Sequence, residues 1–381
     1  MFSIRKPGLL DVLKAPAYAL SAKQILVMTF FLCLGMVVYD IFVYLAYLVD
    51  GQNLGTVFRV FGFFPFGLPS VHSWFAWLIY VVGFVLTILS VMLGFFGVAA
   101  INIEQIRGNR FMSWSAAIRF SFSRFGQLFL AELAVALFVA LIIGLFVVLG
   151  LVARIPVVGE WIYALFFAIP NFVIALLTVF VIFVFSLSVI LLPAVSAAEH
   201  HGEAFGVIVE TFSTIIRQPL RWFGYTIYAV VAAKLSSFVY AYFSFRAIQF
   251  LVGATMLGGG DGVYSLVKGG LSHLPANSEF VRETFNVFPG IDWSFSVAYW
   301  MRGGSNSAAG YLMAVMIFLI FASVIGYFFA TIAAGQACGF ASIRIIKDEY
   351  NIAEESPMFF TDEHVNPVTE GGENEEDSTG V

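Results

Sequence analysis

Charge is the property that this sequence of 381 residues lacks most, because only 11% of its side chains are Asp, Glu, Lys or Arg. Soluble domains average about 25%. Hydrophobic residues make up 60% of the chain, and 44 residues are Phe. A single core could not hide so much apolar surface from water. The composition excludes a soluble globular domain and predicts that lipid surrounds much of the chain.

Cysteine is also scarce, and its two positions, Cys33 and Cys338, fall in separate apolar stretches. A disulfide framework or a zinc site would need several cysteines at short spacings. The nearest approach to a metal motif is residues 199–203, Glu-His-His-Gly-Glu, but adjacent histidines on a helix point about 100° apart. We therefore predict no catalytic centre, no cofactor, no metal site and no enzyme.

Long apolar runs are abundant, and a membrane span needs about 20 mostly apolar residues. Six stretches qualify: 24–48, 74–101, 128–152, 162–195, 224–257 and 310–345. The sequence therefore predicts an all-α fold, a polytopic transmembrane helical bundle of about six spans. We divide it into an amphipathic lead (1–23), a membrane domain (24–345) with an outer linker (258–309), and an acidic tail (346–381).

Lys and Arg residues concentrate on one side of the six predicted spans, in the lead, in the connectors after spans two and four, and at the exit of span six. Cytoplasmic loops carry such an excess. The pattern predicts that both termini are cytoplasmic and that the protein is a multi-pass component of a bacterial plasma (inner) membrane. Because topology explains the basic residues, we expect no nucleic-acid partner.

Amphipathic segments follow spans two and four. Apolar residues recur there at three- and four-residue spacing, which places them on one face of a helix; they are Phe111, Trp114, Ile118, Phe122 and Phe125, then Phe205, Val209, Phe212 and Ile216. We predict interfacial helices on the cytoplasmic side. The two segments are either copies of one duplicated hairpin or independent connectors of a common type, and the sequence leaves both readings open.

Ionisable residues at membrane depth are costly and mark candidate functional sites. Four stand out: Asp40, Glu132, Lys234 and Arg246. Counting 1.5 Å per residue from the inner end of each predicted span, Asp40 lies roughly 24 Å in, Lys234 about 15 Å, Arg246 about 33 Å and Glu132 about 6 Å. Asp40 could therefore pair with either Lys234 or Arg246, and Lys234 could instead reach down to Glu132. The set is either a polar path for an ion or small solute, or a buried pair that fixes helix register.

The tail after Lys347 is polar and acidic, a composition that cannot form a core of its own. Inside it lies an apolar patch, Pro357, Met358, Phe359 and Phe360. We read this patch as a candidate docking segment for a protein partner, with a solvated tail as the equal alternative.

One part of the sequence resembles a known family. It runs from Leu191-Leu192-Pro193-Ala194 through Glu199, an apolar helix over 205–216 and Arg217 to Trp222. This family comprises prokaryotic six-helix membrane domains, including the one attached to some glycerophosphodiester phosphodiesterases. The end of span six, from Gly335-Gln336 to Arg344 and Asp348-Glu349-Tyr350, is also similar to the end of such domains. The catalytic domain of those enzymes has no counterpart here, so the resemblance implies a membrane domain without enzymatic activity.

These patterns together favour a non-catalytic role, as a scaffold or accessory subunit that acts through protein and lipid contacts. Its partners would be the lipid bilayer and either other proteins or further copies of the chain, bound through the interfacial helices and the acidic tail. The alternative is a transporter of small solutes or ions with a polar path near Asp40 and Lys234.

Overall fold

The computed structural model describes residues 7–61, 71–152, 154–166, 170–199, 204–273 and 308–358. Within these ranges the regular secondary structure is helical, and no strand is present. In chain order the helices are α1 (Leu9–Leu13), α2 (Ala15–Ala19), α3 (Ala22–Val49), α4 (Leu54–Phe61), α5 (Trp74–Ile106), α6 (Trp114–Val152), α7 (Val158–Phe166), α8 (Phe172–Ala198), α9 (Ala204–Arg217), α10 (Pro219–His273) and α11 (Ala308–Asp348). The predicted all-α class is confirmed.

Five helices, α3, α5, α8, α10 and α11, are long and apolar enough to cross a membrane. The protein is therefore a multi-pass membrane protein. Helix α6 contributes a shorter apolar stretch, Ala136–Val152. At 1.5 Å per residue this stretch is about 26 Å long, slightly less than the hydrocarbon thickness of about 30 Å. A sixth span through α6 stays a prediction.

Helix α11 is the central element, because α3, α5, α8 and α10 all pack against it. Small residues make this close packing feasible. A Cβ at Gly335 would lie 2.6 Å from the Cβ of Ala229 on α10, and Gly326 meets Thr29 of α3. The sequence of α11 presents such residues at four-residue spacing, which lets helix backbones approach each other. In this structure the small residues of α11 pack against other helices of the same chain.

We call the end of the bundle where α3 begins and α11 ends the basal end, and the opposite end the apical end. The largest hydrophobic cluster occupies the basal half and includes fully buried Phe96, Trp222 and Phe340. Helices α1 and α2 cover it from one side. They are fixed there because Tyr228 donates to the carbonyl of Leu13 (2.7 Å) and Tyr327 to that of Pro16 (3.0 Å).

Helix α10 reverses direction near its apical end. Gly260 interrupts the helix with a φ of 53°, a backbone angle that glycine adopts without steric cost. Val267 and Leu271 then pack beside Val252 and Ile317, so residues 261–273 run back along α10 and α11. The first part of the predicted outer linker is therefore a packed helix, and residues 274–307 lie outside the described residues.

The two amphipathic connectors differ in the structure. Helix α9 buries Val207 and Ile215 and exposes Phe205. The first connector, in contrast, is the beginning of α6, which runs without a break from Trp114 into its apolar part. No proline interrupts that stretch of sequence, so one long helix replaces a separate interfacial helix followed by a span.

Candidate functional site

Three of the four predicted intramembrane residues have described side chains. Asp40 lies half-buried on α3, close enough to Tyr39 and Tyr44 to interact with them electrostatically. Lys234 is half-buried on α10. Arg246 is exposed further along α10 and donates to Oε1 of Gln249 (2.9 Å). Glu132 is on α6, and its side chain lies outside the described residues.

The relative register of α3 and α10 follows from their contacts with α11. The ring of Tyr240 on α10 packs at a tilt against that of Tyr327, with ring centroids 5.3 Å apart. Thr29 of α3 packs on Gly326, the preceding residue of α11. Tyr240 and Thr29 therefore lie at nearly the same height in the bundle.

This register separates Asp40 from Lys234. Lys234 lies six residues before Tyr240, towards the basal end, whereas Asp40 lies eleven residues after Thr29, towards the apical end. At 1.5 Å per residue these offsets add up to about 25 Å along the helix axes. The structure thus separates the two residues along the bundle axis by far more than the roughly 9 Å that the ends of the predicted spans imply.

The basal end contains a buried ion network that was not predicted from the sequence. The side chain of Arg107, directly after α5, has no exposed surface, and Glu104 on the last turn of α5 is 1% exposed. Arg107 forms ion pairs with Glu104 (3.4 Å) and with Glu355 near the end of the chain. Its Nη2 also donates to the carbonyl of Ala198, the last residue of α8 (2.6 Å). One guanidinium thus joins α5, α8 and the C-terminal segment.

The segment bound by this network is residues 349–358, which we call the C-terminal strap. Glu349 has a left-handed φ of 56°, and the chain leaves the direction of α11 there. Ile352 is fully buried, and the backbone N–H of Met358 donates to Oε1 of Glu104 (3.0 Å). The strap therefore runs from the end of α11 across to the end of α5.

Two further ion pairs surround the strap. Arg344 of α11 contacts Glu199 at 2.9 Å and lies over the ring of Tyr350, and Lys347 contacts Glu210 of α9 at 2.6 Å. A hydrogen bond to Glu355 raises the pKa of Tyr350, because it stabilises the protonated phenol next to a carboxylate. These pairs fix α8, α9 and the strap to the end of α11.

The predicted docking patch begins inside the strap. Pro357 and Met358 are half-buried, and Met358 is bonded to α5 through its backbone. Phe359 and Phe360 lie outside the described residues. The part of the patch that the structure describes therefore lies against the bundle itself, and the chain continues from a point beside the end of α5.

Two polar pairs deeper in the basal half were likewise not predicted from the sequence. Gln24 of α3 and Asn102 of α5 exchange side-chain amide hydrogen bonds of 3.3 and 3.2 Å. Trp222 donates from Nε1 to Gln336 (3.1 Å). Each of these four side chains thus bonds to a neighbouring helix, which fixes the register of α3 against α5 and of α10 against α11.

The chemistry of the basal end is that of a structural junction. The carboxylates of Glu104, Glu199, Glu210 and Glu355 each accept a bond from a cation or an amide of the chain. Within the described ranges, no group of three or more His, Cys, Asp or Glu side chains is close enough to hold a metal ion. The i, i+3 spacing of Glu104 and Arg107 at a span end is the one sequence signal that could have indicated this junction.

Comparison with known proteins adds no family assignment, because no family model, no curated protein and no solved structure matches this chain.

Proposed function

We propose that this protein is a non-catalytic scaffold or accessory subunit of the bacterial plasma membrane that acts through protein and lipid contacts. The observation that carries the proposal is the C-terminal strap. A fully buried arginine, Arg107, fixes the strap to α5 and α8. The acidic segment 359–381 therefore starts at a defined place on the bundle, as a segment that recruits a partner would need.

We further propose that the basal end faces the cytoplasm, with both termini on that side. Exposed basic residues at this end support this orientation, since positive residues are retained in cytoplasmic loops; they are Lys14, Arg110, Arg119, Arg217 and Arg221. The basal surface would then be the face on which cytoplasmic partners bind.

The contact surface that we propose comprises the exposed part of the strap, around Glu354, and the exposed face of α9, around Phe205 and Val209. The acidic segment 359–381 extends it, with seven Asp or Glu residues among its 23 positions. A partner with a basic surface fits this composition. The resemblance to membrane domains of the glycerophosphodiester phosphodiesterase type is compatible with such a role and remains a prediction.

The test is extraction of the native protein in a mild detergent, followed by mass spectrometry of the proteins that co-purify. The informative variant ends after Met358, because it keeps the strap, which belongs to the fold. We expect a stoichiometric partner with the full chain and its loss with the shortened chain. A full chain that is purified alone, at the mass of a monomer, would refute the proposal.

A further inference from the structure

Exposed apolar and exposed basic side chains alternate around the basal end. Leu13 (42% exposed) precedes Lys14, and Phe111 (92% exposed) follows Arg110. Where α9 passes into α10, Ile216 and Leu220 are each followed by an exposed arginine. We call these residues the basal rim; they are Leu13, Lys14, Arg110, Phe111, Ile216, Arg217, Leu220 and Arg221.

The rim comes from three separate connections that the fold brings to one end. Tyr228 of α10 fixes the α1–α2 junction at Leu13. Lys23 of α3 donates to the carbonyl of Arg110 (2.9 Å) and so fixes the turn between α5 and α6. The ion pair of Lys347 with Glu210 fixes α9 to α11. The repeated pairing of an apolar with a basic residue therefore belongs to the assembled bundle and not to a single segment.

Acidic side chains at the same end are arranged differently. Glu104 is buried, and Glu199 and Glu210 are ion-paired to α11. The exposed carboxylates among the described basal residues, Asp348, Glu349 and Glu354, lie at the exit of α11 and on the strap. Negative charge thus gathers around the strap, whereas the rim is positively charged.

An exposed Phe or Leu beside Arg or Lys has the chemistry of a membrane interface. The apolar group enters the acyl region and the cation remains at the depth of the phosphates. From this charge complementarity we propose that the basal rim binds the phosphate headgroups of anionic phospholipids in the leaflet around the basal end. The inference requires only membrane residence, so it does not depend on the scaffold proposal.

The test uses the full chain in lipid nanodiscs of phosphatidylcholine containing about one third phosphatidylglycerol, where anionic lipids create a negative surface potential. The anionic lipid that remains bound after detergent extraction is counted by native mass spectrometry. The test variant is R110Q/R217Q/R221Q. The matched control, R154Q/R246Q/K268Q, removes three charges from residues outside the basal end.

We expect the wild type and the control to retain phosphatidylglycerol over phosphatidylcholine, and the rim variant to lose roughly half or more of it. A second variant, R110K/R217K/R221K, keeps the charge and should retain the lipid. Added salt should weaken retention by the wild type. Equal retention by the rim variant and the wild type would overturn the proposal. A full chain that retains no excess of phosphatidylglycerol, with retention appearing only when the chain ends after Met358, would also overturn it, since the acidic segment 359–381 would then occupy the rim.

Discussion

Arg107 and Glu355 are 248 residues apart in sequence and form an ion pair at the basal end, where the guanidinium is completely buried. The same guanidinium contacts Glu104 and the last carbonyl of α8. Three chain segments therefore depend on one side chain, and the strap is part of the folded bundle, although its sequence belongs to a polar tail.

Replacing Arg107 with Gln should destabilise the protein strongly. The change leaves Glu104 buried without its cation, and removal of one partner from a buried pair costs about 3–5 kcal/mol. The free energy of unfolding, measured by denaturant titration in detergent, should fall by this amount. Glu355→Gln should cost less, because the side chain of Glu355 is 12% exposed.

The matched control for Arg107 is Arg119→Gln, since Arg119 is exposed on α6. Its effect on the free energy of unfolding should stay within about 0.5 kcal/mol. Equal losses for Arg107→Gln and Arg119→Gln would contradict the buried network.

A second pair of variants tests the strap independently. Ile352→Ala removes a fully buried side chain and should cost about 2–5 kcal/mol, whereas Ile346, 46% exposed, should tolerate the same change.

Gly335→Ala should weaken the packing of α11 on α10. The added methyl would lie 2.6 Å from the Cβ of Ala229, which is too close without a shift of one helix. We expect a loss of about 1–3 kcal/mol. Gly253→Ala on α10 is the control, because its Cβ would meet no atom within 4 Å, and this change should be neutral or slightly stabilising. The prediction is refuted if both variants unfold at the same denaturant concentration.

Asp50 should make the stability of the apical α3–α5 connection depend on pH. Its carboxylate accepts hydrogen bonds from the backbone N–H of Ser73 (2.8 Å) and from Gln52 (3.0 Å), and these bonds lower the pKa of Asp50. Since the native pKa lies below the ordinary value of 3.8, this contribution is complete above that pH and is lost as the pH falls through the native pKa.

The measurement compares wild type with Asp50→Asn in thermal unfolding between neutral and acidic pH. The wild type should be the more stable protein at neutral pH. The difference between the two midpoints should narrow below about pH 4, as Asp50 becomes protonated. A difference that stays constant over this range would show that the carboxylate does not stabilise the connection.

Asp40 and Lys234 should behave as independent residues. Their separation of about 25 Å along the helix axes, derived from the rise per residue, predicts no direct coupling. In a double-mutant cycle with Asp40→Asn and Lys234→Ala, the two effects should add within about 0.5 kcal/mol. Trp222→Phe and Gln336→Ala form the positive control, because these side chains share a hydrogen bond. Strong coupling between Asp40 and Lys234 would revive the transport alternative, in which both residues line one polar path.

The apolar runs of the sequence were sufficient to predict the helical class and five of the spanning helices, because each run exceeds the length that a bilayer requires. The four-residue spacing of small residues in α11 is a second feature of the sequence that permits close helix packing. The depth of Asp40 relative to Lys234 could not be predicted in this way. It depends on where Thr29 and Tyr240 meet α11, and an offset between two helices leaves no trace in the periodicity of either one.

The junction around Arg107 shows a second limit of the sequence. Glu104 and Arg107 are three residues apart at a span end, which suggests a local pair. Their partner Glu355 lies among many acidic residues near the C-terminus, and nothing in its neighbourhood distinguishes it. The polar composition of the tail predicted solvation, but Ile352 and the buried ion pair together bind its first residues to the bundle.

The most direct test of the scaffold proposal is photo-crosslinking in native membranes, with a photoreactive amino acid in place of exposed Glu354 on the strap. The control carries the same group in place of Phe180, which is 52% exposed in the apolar helix α8. We predict a discrete protein adduct from position 354 and none from position 180. Absence of a protein adduct from position 354, in cells where the protein is present and folded, would contradict a role in which the basal end binds a partner.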